Sequence, residues 1–333
     1  MKKTAVALAA ALMVASSPVF AKPSCNVAWS HYVGWEPWGY IQQSGIMKKW
    51  SDKYGVDVKI QLIPDYMESI NLYTSGTNCG VAITNMDALI TPAFGGIDST
   101  AIIIGDFSNG NDAIISKGLK DLTEVKTINL VQGSVSQYLL SRAAQVNGVP
   151  ESQFKLVNTS DSDIQAVYET GKPGITVATW NPIVMNIKSK EVSNVLFDSS
   201  NIPGEIIDML VVRTGTDPNI TKALVGAWYE AMEIMADPQK RKDMIVFMSQ
   251  SSGGTESEFV AQLKTTSMFV HPTDVARFAA SKSLKDTNSY VMSFLYDHGL
   301  YPNGADKDFI GVEFPDGSVQ GNAKNVKLRF KPQ

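Results

Sequence analysis

The sequence predicts an α/β chain folded as two lobes, each a parallel sheet covered by helices, with a cleft between them. Three observations carry that expectation. Strand-like and helix-like segments alternate over 26–104, and the alternation restarts after Asn109-Gly110-Asn111. A strongly apolar stretch at 206–213 is then placed to carry the chain back to the first lobe. The expected division gives 22–109 and 208–333, helical C-terminal part and tail included, to the first lobe and 110–207 to the second.

A short apolar strand is expected at 26–30. A helix over 38–54 follows, with Ile41, Ile46, Met47 and Trp50 at roughly helical spacing and Gly55 as its stop. In the strand at 56–63, Val56, Val58, Ile60 and Leu62 alternate. Pro64-Asp65 starts a helix through Tyr73. A strand at 80–84, a short helix at 86–94 and a strand at 100–104 complete the first unit. The second unit reads as strands at 127–131, 154–157 and 174–179, with helices at 138–146, 164–169 and from Pro182. The turn Gly133-Ser134-Val135-Ser136 opens the first of these helices, and Gly148 closes it. Beyond 213 the chain is mostly helical. Asp217 and Asp237 each precede a proline, the pattern of an N-cap with proline at the first helical position. Ala223, Leu224, Ala227, Trp228, Ala231 and Met235 make one apolar face, expected to be core. The segment 309–320 reads as a hairpin around Pro315-Asp316-Gly317.

Residues 1–21 read as a secretory leader outside the fold. Lys2 and Lys3 precede an apolar run at 5–14, and small residues mark a cleavage point near Ala21. The apolar run is too short to span a bilayer, and the residues before Cys25 do not form a lipobox. The expectation is an exported monomer. Net charge is −4, and loss of Lys2 and Lys3 with the leader makes it −6. A mildly acidic chain without a basic stripe argues against nucleic acid as a partner. In an oxidising compartment Cys25 and Cys79 are expected to pair. If the strands at 26–30 and 80–84 are parallel neighbours, both cysteines lie at one end of the sheet about 5 Å apart, which suits a disulfide. Two free buried thiols are the alternative.

Ligands in such folds sit beyond the carboxyl ends of the strands. Trp29, Tyr32, Trp35 and Trp38 crowd the first strand-to-helix loop, with His31 and Glu36 among them, and hold half of the chain's six tryptophans. Trp29 lies inside the strand and is expected in the core. Tyr32, Trp35 and Trp38 are expected pocket walls. Rings beside the Glu36 carboxylate would suit a cationic or planar ligand. Asn85 and Asp87 follow the third strand and Asp106 the fourth, Asp87 equally suiting a helix cap. Ser134 and Ser136 stand at a helix start, as caps or as contacts to an anion or polar group. Trp180 and Asn181 end a strand of the second lobe, with Trp180 placed to close over a ligand. Asp208 lies just after the return crossing. Asp161 and Asp163 read as caps, and His271 and His298 as structural.

Enzyme signatures are missing: no phosphate-binding glycine loop, no nucleophile elbow and no H-E-x-x-H zinc helix. The three histidines are scattered, and paired cysteines leave no thiol nucleophile. No cofactor or metal is expected.

Three stretches carry a resemblance. Gly80-Val81-Ala82-Ile83-Thr84-Asn85-Met86-Asp87-Ala88-Leu89 is similar to the third strand and turn of the nitrate/sulfonate/taurine-type periplasmic binding proteins. The segment 132–140 resembles their second-lobe strand-to-helix turn, and 176–182 their late strand with its tryptophan. The similarity runs over about 26–240. It implies the bilobal type II periplasmic-binding-protein fold, a periplasmic location and a small-molecule ligand. It also implies an inner-membrane ABC permease with a cytoplasmic ATPase as partners, and delivery of solute without chemistry. The segment 29–40 further resembles the subgroup encoded beside urea carboxylase genes, which implies guanidinium or urea. Glu36, Asp87, Asp106 and Asp208 would then offer carboxylates to guanidinium. A sulfonate, taurine, nitrate or pyrimidine-type ligand is the alternative in the same role, and a sensor or an enzyme on this fold is a further one. The pyrimidine-forming relatives carry a cysteine-rich motif that this chain lacks. The strand-end loops contain no Arg or Lys, which disfavours a sulfonate or nitrate, whereas the helix start at Ser134 favours an anion or a neutral amide.

Overall fold

The computed structural model describes residues 21–333; the expected leader lies, apart from Ala21, outside them. The chain builds two sheets. The first begins with β1 (Ser24–Trp29), then α1 (Glu36–Gln43) and α2 (Ile46–Tyr54), then β2 (Asp57–Leu62) parallel to β1. The single helix expected over 38–54 is two. Gly45 breaks it with φ 82°, a left-handed conformation that costs glycine little. Next, α3 (Tyr66–Thr74) is capped by Asp65 and leads to β3 (Gly80–Thr84), parallel to β1 on its other side. The helix expected over 86–94 shrinks to a 3₁₀ turn at Asp87–Leu89 and the short α4 (Thr91–Phe94), because the backbone at Ile90 leaves helical geometry. β4 (Ser99–Ser108) runs past the expected end to the cleft edge.

The second sheet opens with β5 (Asp112–Ser116), a fully buried strand absent from the sequence-based expectation. It continues through β6 (Thr127–Leu130), α5 (Val135–Asn147), β7 (Lys155–Asn158), α6 (Asp161–Thr170), β8 (Thr176–Trp180), α7 (Ile183–Lys190) and β9 (Asn194–Asp198). The order is β7-β6-β8-β5-β9. β10 (Ile207–Arg213) then returns to the first sheet, as expected of the apolar stretch there.

Both sheets are mixed rather than wholly parallel. β10 runs antiparallel between β3 and β4, and β5 runs antiparallel between β8 and β9. The reason is geometrical. β10 enters at the edge where β4 leaves, so Asp208 pairs with Asp106 and the strand must run back.

The remainder packs on the first sheet as α8 (Pro218–Ala236), α9 (Arg241–Ser251), α10 (Glu256–Leu263), β11 (Thr266–Met268), α11 (Pro272–Ala279), α12 (Lys282–Asp297), β12 (Gly311–Glu313), β13 (Val319–Gly321) and β14 (Val326–Phe330). The sheet order is β13-β12-β14-β4-β10-β3-β1-β2, with β11 on β4. Asp217 caps α8 by accepting the Asn219 N–H, and the apolar face of α8 is buried. Asp237 does not open a helix. It ends α8, its carboxylate accepts the Gln239 N–H in a turn, and α9 starts only at Arg241. β12 and β13 pair antiparallel around the expected turn.

Cys25 and Cys79 form a disulfide, with Cα atoms 5.5 Å apart. They stand at the amino ends of β1 and β3, opposite the strand ends that form the cleft. Closing this loop stabilises the fold by about 2–4 kcal/mol in the chain-entropy picture. The double variant Cys25→Ser/Cys79→Ser is expected to lose that amount in denaturant unfolding while its ligand affinity stays unchanged. A loss of affinity at full folding would contradict the separation of bridge and cleft.

Candidate functional site

Four rings meet where the two sheets face each other. Tyr32 and Trp35 come from the β1–α1 loop, Tyr66 from the first turn of α3, and Trp180 from the end of β8. Their centroids form a chain, Tyr32 to Trp35 at 5.1 Å, Trp35 to Tyr66 at 5.4 Å and Tyr66 to Trp180 at 5.7 Å. Together with Thr84, Asp112, Val135, Ile206 and Asp208 they line a cavity of about 10 Å³, the room of roughly one water molecule. Trp180 ties the second sheet to the first by donating its indole N–H to the His31 carbonyl at 3.2 Å.

Beneath the rings lie four buried aspartates: Asp87, Asp106, Asp112 and Asp208. Tyr66 Oη and Thr84 Oγ1 donate to Asp87 at 2.7 and 2.9 Å. Tyr32 Oη donates to Asp106 at 2.9 Å, and Ser108 Oγ donates to Asp112. One carboxylate oxygen of each of Asp87, Asp106 and Asp208 has no hydrogen-bond partner. Among the described residues, no Lys or Arg forms an ion pair with any of the four. Gly34 gives Asp106 its space, since a Cβ there would stand 2.2 Å from Asp106 Oδ2.

Burial dominates the ionisation of this cluster. It pushes the carboxyl of Asp87 up to about 6 and that of Asp112 up to about 7. Asp208 is raised well above the ordinary carboxyl range, first by burial and then by the charge of Asp106. Burial likewise holds the hydroxyls of Tyr32 and Tyr66 protonated. In the unfolded chain an aspartate titrates near 3.9. The folded protein therefore binds these protons more tightly than the unfolded one. The stability they contribute is complete below about pH 4 and is lost as pH rises through about 6 to 7. The unliganded protein is expected to unfold at progressively lower temperature from about pH 4 to about pH 7. A flat or rising midpoint across that window in thermal scans would contradict it.

The expected site residues separate under this geometry. Tyr32, Trp35, Trp180 and Asp208 line the cavity, and Asp106 and Asp87 stand behind it. Trp38 does not. Its ring packs on Trp228 at 4.9 Å in the core, because it falls one turn into α1 on the inward face. Glu36 is buried but turned to His31 Nδ1 at 2.7 Å, away from the cavity lining. Asn85 bonds the Glu205 carbonyl and the Ile207 N–H, pinning β3 to the start of β10. Asn181 caps the Met185 N–H and holds Asn111 at the crossing between sheets. Ser134 is the N-cap of α5, and Ser136 is buried with its hydroxyl unpartnered. The Val135 backbone at this helix start acts on the Asp87 carboxyl of the other sheet, offsetting in part the rise that burial causes. Asp161 serves the reverse contact, accepting the Tyr66 N–H at 3.3 Å at the start of α3.

Five cavity residues lie outside the expected site residues: Tyr66, Thr84, Asp112, Val135 and Ile206. Tyr66 follows the strand at 56–63 and was legible by the strand-end rule applied to the other strands. Asp112 required recognising Ala113-Ile114-Ile115 as a strand placed directly after the crossing turn.

Fold and cleft together define the class: this is the mixed α/β, two-sheet fold of the periplasmic binding proteins. No protein-family model and no curated protein matches the sequence. Solved structures do match. The alkanesulfonate-binding protein SsuA from Xanthomonas axonopodis pv. citri, bound to MOPS, superposes with TM-score 0.68 at 13% identity, over 85% of this chain and 96% of that one. The aliphatic sulphonate binding protein SsuA from Escherichia coli gives 0.65 at 13% identity over 86% and 91%. The nitrate-binding protein NrtA from Synechocystis PCC 6803 gives 0.64 at 13% identity over 86% and 84%.

Proposed function

We propose that the chain is the periplasmic solute-binding component of an ABC importer. Its lobes, 22–109 with 208–333 and 110–207, close over one small molecule, and the protein delivers it unchanged to an inner-membrane permease with its ATPase. Export through the leader and action as a monomer complete the reading.

The ligand is a small, planar, nitrogen-bearing solute, with guanidinium first. The observation that supports this is the set of four buried aspartates, three with an unpartnered oxygen, under a wall of aromatic rings. A guanidinium ion offers planar donors to carboxylates and a face to the rings. The sulfonate and nitrate of the similar structures are anions, and bringing one beside Asp112 and Asp208 costs several kcal/mol of like-charge repulsion. Urea is the second reading, favoured by one group: the buried indole N–H of Trp35 has no acceptor, and a carbonyl oxygen would fill that role.

A thermal-shift panel of guanidinium, urea, nitrate and taurine tests this. A rise in midpoint with guanidinium or urea and none with the anions is expected. A rise with nitrate or taurine alone would overturn the ligand reading, and no response to any small nitrogen or sulfur compound would overturn the binding role.

A further inference from the structure

We propose that Asp106 and Asp208 share one proton in the empty site and release it to solvent when a cation enters, so that capture is an exchange of a proton for the ligand's charge. The inference rests on the cation reading above.

The two residues are direct partners on adjacent antiparallel strands. Both are buried, and Oδ2 of each lacks a donor from any other residue. Directly opposed residues of antiparallel strands project to one face with Cβ atoms about 4.5–5.5 Å apart, so the two carboxyls face each other, and each acts on the other's ionisation. Two ionised carboxylates cannot bond, because neither has a hydrogen to give. Contact at this range makes one of them an acid and its neighbour the acceptor, as in other carboxyl pairs.

The surroundings leave the proton in place. From the β1–α1 loop comes Tyr32, whose Oη already donates to Asp106 Oδ1. From β5 comes Asp112, whose charge opposes ionisation of both. Asp87 in turn acts on Asp112. Among the described residues, the titratable groups acting on the pair are a phenol and carboxyls, and none supplies positive charge.

A cation changes the balance. The O–H bond of the pair breaks, its proton passes to water or buffer, and the ligand's charge takes its place, leaving the net charge of the site unaltered. Neutral urea has no charge to exchange and leaves the proton where it is. Cation affinity therefore rises with pH, and acidification favours release.

Carbon-13 NMR of protein labelled at the aspartate carboxyl carbon tests this by reading the proton itself. Signals of the pair are assigned with Asp106→Asn and Asp208→Asn, whose folding is checked by circular dichroism. In the unliganded protein the pair is expected to titrate in two widely separated steps, the upper one lost in either variant. Saturating guanidinium chloride, against an equal concentration of sodium chloride, is expected to move the upper step down, while urea leaves it unmoved. A single ordinary acid step in the unliganded protein would overturn the shared proton. An upper step that stays put while other site signals respond to guanidinium would overturn the exchange alone. No response of any site signal to guanidinium would overturn the cation reading and the exchange with it.

Discussion

Asp208→Asn lowers the affinity for guanidinium by about 30-fold or more and raises the thermal midpoint of the unliganded protein near neutral pH. Both directions follow from one fact: Asp208 is a buried carboxyl facing Asp106 and Asp112, with no cation among the described residues. Truncating one member of a buried charge pair costs about 2–5 kcal/mol of binding, which sets the loss. In the empty site the pair depends on a bound proton for its mutual hydrogen bond, and an amide of equal shape donates to Asp106 at any pH. Binding and stability therefore move in opposite directions. Calorimetric titration and a thermal scan of the same variant read both. A variant that binds as wild type, or that folds normally but melts lower, would remove Asp208 from the proposed role.

Trp180→Ala weakens binding by roughly 30-fold or more, the scale of a desolvated cation–π contact. Trp180 is the ring that the second sheet brings to the cavity, and its N–H bond to the His31 carbonyl spans the two sheets. Its loss removes a wall and a closing contact together. Trp38→Phe is the matched control: Trp38 lies against Trp228 in the core, so stability falls and affinity does not. Equal effects of the two substitutions on affinity, measured by fluorescence or calorimetric titration, would contradict the division between wall and core.

Most of the architecture was legible because apolar periodicity is local. Strand–helix alternation, the Gly148 stop of α5, the Asp65 and Asp217 caps and the return strand all follow from spacing within a few residues. The disulfide was legible because it needed only two strands to be parallel neighbours, which they are. Features fixed by partners distant in sequence were not. The antiparallel run of β10 depends on where β4 ends. The strand β5 is a short apolar run whose identity comes from pairing with β8 and β9. In the site, Tyr32, Trp35, Trp180 and Asp208 could be named from strand ends alone. Their orientation could not. Trp38 and Glu36 lie in the same few residues as Tyr32 and Trp35 yet face the core and His31, because α1 begins at Glu36 and its turns set the directions. The helix start at Ser134 left a cap and a contact to an anion or polar group both open, and Ser134 is the N-cap of α5.

The central claim is that a cage of uncompensated carboxylates takes a small planar cation. Isothermal titration at about pH 8, where the buried aspartates favour ionisation, tests it most directly. Saturable heat with guanidinium chloride is expected at one site per chain, undiminished by excess sodium nitrate or taurine. Saturable binding of nitrate or taurine, with guanidinium silent, would contradict it.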